Sequence, residues 1–351
     1  MPESINLPPM VAYLVEAAGC APSADNSQPW CFEWNGEVLT GRAIQRGGFP
    51  VDYHATVMAL GAAAENLISA ANSLGLDVSS WNFCAPGANG VFIQGRLSEQ
   101  GKAASFPRNP IWKQRHTNRL PFLPVINSHV LPELEACHVG QARVNTITGA
   151  EIKTVAAWVR QASEVRFQTR EVNEWFASSL RYGGTPQEML EGLNVKTLAL
   201  PPGGVSLLKL MSNWNRMKWL NRFKAYKLFA SIEAINFQKT PLVIAITGTT
   251  EKASIFEAGR CLQKVWLKVT ELGMSAHPYY VVADLLGRVE SGGVPLQCMR
   301  QAENIKMQIR EKFGSDRTLH CLMRVGTPSG KIEFSGRLPI DEIMCKASIG
   351  S

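Results

Sequence analysis

Two strongly apolar stretches, residues 55–74 and 255–272, carry Ala, Leu, Ile and Val at helical spacing, and each is closed by a glycine, Gly75 and Gly273. Helices of this kind bury most of their surface, so the chain has to be built around two internal helices. Segment LGAAAENLISAANSLGL (60–76) aligns without gaps on AGRCLQKVWLKVTELGM (258–274), sharing the first glycine, the closing Leu-Gly and the apolar pattern. Two generic buried helices would share as much, so the alignment alone leaves internal duplication open. Ser254 with Glu257 three residues on reads as a capping box for the second helix.

Strand-like segments accompany each helix: 79–84 and 90–97 after the first, 242–247 before the second, and 277–283 and 319–325 after it. Further helices are expected at 9–19, 129–137, 151–180 and 296–313, and strands at 30–34 and 142–148. A chain of 351 residues corresponds to about two domains at ~150 residues each. With 45% hydrophobic and 19% charged residues, it reads as folded rather than disordered, collagen-like or coiled-coil. The first 30 residues lack a basic stretch followed by an unbroken apolar run, and the apolar run PLVIAITG (241–248) falls far short of the ~20 residues a membrane span needs, so a cytoplasmic protein is expected. The eight cysteines show neither CxxC nor zinc-type spacing, which points to buried free thiols and no metal.

Three segments could carry chemistry. APSADNSQPW (21–30) presents backbone amides and small polar side chains at the end of a helix, with Trp30 anchoring a strand behind it. Small Ser and Ala let the backbone approach a flat ligand; alternatively, Asn26 and Gln28 merely satisfy the turn. In QRHTNRLPF (114–122), Arg115, Thr117 and Arg119 alternate, so an extended segment projects two guanidinium groups and a hydroxyl to one side, a set suited to phosphate. A solvated basic edge is the plainer alternative. Arg337, in FSGRLPIDE, is a third candidate cation or a surface arginine.

Together these segments resemble the FMN-dependent nitroreductase superfamily, in which an R-x-S/T-x-R segment, an APSxxNxQPW-like loop and a closing G-RLP-like arginine surround FMN. The order here, with the loop at residue 21 and the phosphate segment at residue 115, is similar to that of the single-chain tandem (Acg-like) members, whose two half-degenerate copies form one pseudo-dimer. The resemblance implies an α+β, nitroreductase-like fold with mixed or antiparallel sheets and a central buried helix in each copy. Copy one would span 1–109 and copy two 110–351, the latter with a basic lid-like insertion at about 181–232. Ser23, Ala24, Asp25, Asn26 and Gln28 would approach the flavin from copy one. Arg115, Thr117, Arg119 and Arg337 would hold its phosphate from copy two, and His277, Pro278, Tyr279 and Tyr280 would lie against its ring. His116 and His277 flank these segments as ligand contacts or as structural histidines.

Residues 207–232 hold Lys209, Arg216, Lys218, Arg222, Lys224 and Lys227 with no acid, nearly the whole net charge of +7, interleaved with Trp214, Trp219, Phe223 and Tyr226. A basic amphipathic helix or helix pair here could be a lid over the flavin, an interfacial membrane helix or a solvated cover for the core, and the tandem relatives favour the lid. No nucleic-acid motif accompanies the charge. GxSxG, P-loop, GxGxxG and HExxH are all absent, which argues against hydrolase, NTPase, Rossmann and zinc-protease chemistry. The expected activity is hydride transfer from NAD(P)H through FMN to a small organic acceptor, with no protein nucleophile; the alternative is a protein that binds or sequesters FMN without turnover. The expected assembly is a monomer acting as a pseudo-dimer, with a higher oligomer left open.

Overall fold

The computed structural model describes residues 7–97, 105–331 and 333–345; the outer ends of both expected copies and the segment 98–104 lie outside this set. The chain opens with α1 (Pro9–Gly19), where proline fits the first turn and Val11, Leu14, Val15 and Ala18 face the core. β1 (Trp30–Trp34) and β2 (Val38–Ala43) pair, α2 (His54–Ser73) follows, and β3 (Asn82–Phe83) and β4 (Val91–Arg96) complete an antiparallel sheet of order β1-β2-β4-β3. The strand expected at 79–84 is confined to two residues, because Trp81 leaves the ladder and lays its ring on Gly95.

The second sheet begins with β5 (Arg143–Ile147), which is followed by α3 (Glu151–Arg166), α4 (Arg170–Ser179), α5 (Gly204–Met211), α6 (Trp214–Asn221) and α7 (Ala225–Gln238). Next come β6 (Leu242–Gly248), α8 (Lys252–Glu271), β7 (Ser275–Tyr279), α9 (Val281–Ser291), α10 (Met299–Phe313) and β8 (Thr318–Gly326), giving an antiparallel sheet of order β5-β6-β8-β7. The two sheets thus have the same strand order. In each, a long helix joins the second strand to the third, and the fourth strand inserts between those two.

Several local expectations change. The helix expected at 151–180 breaks after Arg166, where Phe167 turns inward onto Phe229 and Thr169 adopts an extended backbone. Residues 281–283 open α9 instead of extending the strand. The capping box does not form: Glu251 flanks α8, the Ser254 hydroxyl accepts from the Thr249 amide at 2.9 Å, and Glu257 accepts from the Gln141 amide at 2.6 Å. The basic segment is spread over three helices, since Asn213 caps α6 and the left-handed Lys224 (φ +61°) breaks the chain before α7.

Helices α2 and α8 cross at two glycines. A Cβ on Gly61 would lie 2.1 Å from the Phe256 carbonyl oxygen, and one on Gly259 would lie 2.0 Å from that of Met58. Continuing the alignment of the two helices upstream, Gly61 matches Gly259 and Met58 matches Phe256, so each contact is the counterpart of the other, as at a two-fold axis. Buried Gln263 donates to Asn66, and Arg260 pairs with Glu65 at 3.0 Å across the same seam.

The C-terminal arm returns to the first sheet. Met344 bridges Phe32, the Cys345 amide donates to the Phe32 carbonyl at 2.8 Å, and Cys345 forms a disulfide with Cys31. This corrects the expectation that all eight cysteines are free thiols. The partners are 314 residues apart, and only the return of the arm brings them together, so local spacing carries no trace of the pair. Among the described residues, no helix is long and apolar enough to cross a membrane, and no cluster of three His, Cys, Asp or Glu side chains is arranged for a metal.

Candidate functional site

The chain leaves α1 through a strained turn. Asp25, Asn26 and Gln28 have φ of +50°, +57° and +49°, three of the five positive-φ non-glycine residues among those described. Each such residue costs ~1–3 kcal/mol and persists only where its surroundings over-determine it, a pattern that clusters at binding loops. Ser23 closes the turn by accepting from the Gln28 amide at 2.9 Å, Ala24 opens its single 3-10 coil, and fully buried Trp30 anchors β1 behind it.

The C-terminal arm docks on this turn. Arg337 donates through Nη1 to Asn26 Oδ1 at 2.7 Å, Asn26 Nδ2 donates to the Gly336 carbonyl at 3.2 Å, and the Leu338 amide donates to Gln28 Oε1 at 2.9 Å. Arg115 comes in from the other side. Its Nη2 donates to the Cys20 carbonyl at 2.9 Å, and its guanidinium lies over the Trp266 ring at 4.5 Å. Burial, and then the neighbouring Arg337 charge, push the Arg115 guanidinium down to about 9. No carboxylate among the described residues compensates either cation, and the Nε atoms of both are buried without a hydrogen-bond partner. Beyond the Cys20 thiol, whose own pKa is raised by burial, nothing of opposite charge stands by the two guanidinium groups, and unfilled guanidinium donors of this kind are chemically suited to an anion such as phosphate.

The rest of the expected phosphate segment diverges. Thr117 bridges Ala276 and the Asn118 amide donates to the Ala276 carbonyl at 2.8 Å, so the segment lies along the edge of β7. Arg119 is not drawn to the arginine pair: its Nη1 donates to Thr197 O at 3.2 Å, and its charge neighbours are Asp25 and Tyr279. His116 has both ring nitrogens engaged, with the Gln114 carbonyl at 2.8 Å and Ser275 Oγ at 3.1 Å, and packs on Phe334; this is a structural histidine's environment.

At the expected ring end, the Pro278 position is tolerated because β7 is an edge strand. His277 Nδ1 accepts from Arg324 at 2.9 Å, and burial followed by the Arg324 and Arg119 charges holds its pKa far below the usual imidazole value. Tyr279 stands edge-on to Phe237 at 5.1 Å, its hydroxyl pKa raised by burial. Tyr280 turns away to His54 Nδ1 at 2.7 Å, and His54 Nε2 meets His320 Nδ1 at 2.9 Å. Asp25 lies beside Ser179, and burial, opposed by Ser179, Arg166 and Arg119, raises its carboxyl to about 6. A cleft of about 110 Å³ adjoins it, lined by Ser27, Gly47, Ser179 and Gly192 among others. That is small against the ~300–1,000 Å³ of ordinary ligand pockets.

The part of the expected insertion that lies on this site is 187–198, not the basic helices. The Leu190 carbonyl accepts from Asn26 Nδ2 at 3.0 Å and Gln28 Nε2 at 2.8 Å, Glu191 pairs with Arg46 at 3.3 Å, and Thr197 is held by Arg119. The bulk of α6 and α7 packs on Phe167 through Met217 and Phe229, with Glu233 bonded to Ser163 and Arg166, and only the last turn of α7 reaches the ring end, where Phe237 meets Tyr279 and the Asn236 carbonyl accepts from Arg324 at 3.0 Å. The sequence reading missed Arg324, Trp266, Arg166 and Leu190. Arg324 left a signal, being the lone arginine in the buried strand TLHCLMRVG; the others are ordinary helix or loop residues until the fold assembles them.

No protein-family model matches this sequence, and no curated protein matches it. Among solved structures, a BluB-like flavoprotein from Clostridium difficile 630 is similar at 11% identity over 70% of this chain and 100% of that one, with a TM-score of 0.39. The FMN-dependent nitroreductase NfnB from Mycobacterium smegmatis, in complex with NADPH, is similar at 17% identity over 64% and 92% of the chains, with a TM-score of 0.36. A nitroreductase with bound FMN from Desulfitobacterium hafniense gives 11% identity, 68% and 96% coverage, and a TM-score of 0.36.

Proposed function

We propose that this chain is an FMN-dependent oxidoreductase of nitroreductase type, taking hydride from NAD(P)H and passing it to a small organic acceptor. The carrying observation is the neighbouring Arg115 and Arg337, the first buried and the second half-buried, without a carboxylate partner among the described residues and with both Nε donors buried and unfilled. The pair meets the strained loop of Asp25, Asn26 and Gln28, so an anion site and a backbone able to approach a flat ligand adjoin each other. FMN would supply hydride acceptance and donation on its ring system. Arg115 and Arg337 would hold its phosphate, with Thr117 beside them. The 23–28 loop and the strand bearing Pro278 and Tyr279 would orient the ring, and Arg119 and Arg324 would keep the surroundings positive. Asp25, with its carboxyl near 6, can hold a proton beside the loop around neutral pH.

The proposed architecture is two degenerate copies, 1–109 and 110–351, sharing one complete site. The common strand order of the two sheets and the reciprocal Gly61 and Gly259 contacts support it.

The alternative is an FMN-sequestering protein without turnover, in which segment 187–198, whose Leu190 carbonyl takes up the side-chain donors of Asn26 and Gln28, would close over the 23–28 loop. Anaerobic titration of the FMN-loaded protein with NADH and NADPH, following flavin absorbance, decides between them. Bleaching by either nucleotide supports the oxidoreductase; tight FMN binding without bleaching supports sequestration. A protein that fails to bind added FMN overturns both.

A further inference from the structure

We propose that the outer face of α5, α6 and α7 docks this protein on an anionic lipid surface. Of the fifteen large hydrophobic side chains exposed among the described residues, eight lie between 205 and 235. In α7, Leu228, Ile232 and Ile235 follow i, i+4, i+7 and form one narrow outward stripe, 62%, 49% and 46% exposed, while Phe229, Ala230, Ala234 and Phe237 bury the opposite side. Trp219 and Phe223 add a second exposed pair, their rings 5.2 Å apart. These helices therefore carry apolar side chains on both sides, and the fold covers only one.

The cations complete the pattern. Lys209, Arg216, Lys218, Arg222, Lys224 and Lys227 are all exposed, and none pairs with a carboxylate among the described residues. No Asp or Glu occurs from 192 to 232, and Glu233 is turned inward to Arg166. Exposed aromatics and aliphatics interleaved with uncompensated Lys and Arg are what a helix lying in a headgroup layer requires: apolar groups entering the acyl boundary, cations meeting anionic headgroups. A second copy of the chain is a poor occupant, because an isologous contact would set two groups of six cations against each other. Nucleic acid is disfavoured by the aliphatic side chains, since Leu228, Ile232 and Ile235 offer neither a stacking ring nor a hydrogen bond to a base or phosphate and gain only by leaving water.

The test is co-sedimentation of the full chain with vesicles of phosphatidylcholine alone and of phosphatidylcholine mixed with phosphatidylglycerol, at low and raised salt. Binding is expected only to the mixed vesicles, weakening about tenfold as salt rises. Trp219→Ser with Phe223→Ser, and separately Lys218→Gln with Arg222→Gln, should each weaken it about tenfold or more while leaving the thermal midpoint unchanged, as suits exposed positions. Trp214 is not a probe, because it packs inward beside Met217. Absent sedimentation, or sedimentation indifferent to both double variants, overturns the proposal. So does gel filtration showing a dimer that Trp219→Ser with Phe223→Ser converts to monomer.

Discussion

Arg337 donates to the side-chain oxygen of Asn26 at 2.7 Å across 311 residues of chain. This bond ties the C-terminal arm to the strained turn that follows α1 and holds Arg337 among the charge neighbours of Arg115. The pair is costly without a ligand, because both cations are desolvated and the Arg337 charge further opposes that of Arg115.

Arg115→Met should therefore separate stability from binding. Removing the buried Arg115 charge beside the half-buried Arg337 is expected to leave the thermal midpoint unchanged or higher, the lost bond to Cys20 O being offset by relief of desolvation and repulsion. FMN affinity should fall about 10- to 150-fold, the worth of a charge-assisted hydrogen bond to phosphate. Arg115→Lys should recover little, since an ammonium lacks the planar fork. Fluorescence titration with FMN measures the first effect and calorimetric melting the second. A variant that melts lower yet binds FMN normally would mark Arg115 as purely structural.

Asp25 gives a pH signature. Its carboxyl is raised from an ordinary value near 3.8 to about 6, so the folded state binds a proton the unfolded chain has already lost. Its contribution is full below the lower value and disappears as pH rises through about 6, a loss of roughly 3 kcal/mol at most. Asp25→Asn should thus gain stability over the parent between about pH 4 and pH 6.5, with a constant difference above that. Urea unfolding of both proteins across that window is the measurement. A difference that does not change with pH would mean Asp25 is not desolvated as described.

His54 and His320 pull the other way in the same window. Burial holds His54 at about 4 and, with the His54 charge adding, His320 at about 3. The unfolded chain takes up protons as pH falls through ~6.5 while the native pair does not, so stability present above that pH is lost on acidification toward 4. For His54 alone the loss is about 3 kcal/mol, and the stacked His320, lowered chiefly by its own burial, acts in the same direction. His54→Gln with His320→Gln should flatten the fall in urea midpoint between about pH 6.5 and pH 5. An unchanged slope would assign acid sensitivity to other groups.

What the sequence disclosed follows from how local each signal is. The long apolar helices, the strands at 30–34 and 242–248, and the turn at 21–30 are written in periodicity and turn chemistry, and they stand near their expected places. The alternation of Arg115, Thr117 and Arg119 predicted one shared target, but edge pairing with β7 sends Arg119 to Thr197 and leaves Arg115 for Arg337. The Cys31–Cys345 disulfide, the bond from Asn26 to Leu190 and the seat of Arg115 on Trp266 are contacts between distant segments, set by the return of the arm and the path of residues 187–198. No local pattern encodes them.

The crossing of α2 and α8 allows a direct test of the reciprocal contact. Alanine at Gly61 or at Gly259 places a methyl about as far inside the partner helix's backbone in either case, within 2.1 and 2.0 Å of a carbonyl oxygen. Backbone cannot rotate away as a side chain can, so the helices must separate. Each substitution is expected to cost about 2 kcal/mol, after the ~1 kcal/mol that alanine gains over glycine in a helix. One separation accommodates both methyls, so the double variant should cost clearly less than the sum. Gly287→Ala is the control: it lies exposed in α9 with open space around its Cβ, and should stabilise by up to about 1 kcal/mol. Urea unfolding of the four variants gives the cycle. Strictly additive costs would show that the two glycines answer to separate constraints and that the crossing is not one shared contact.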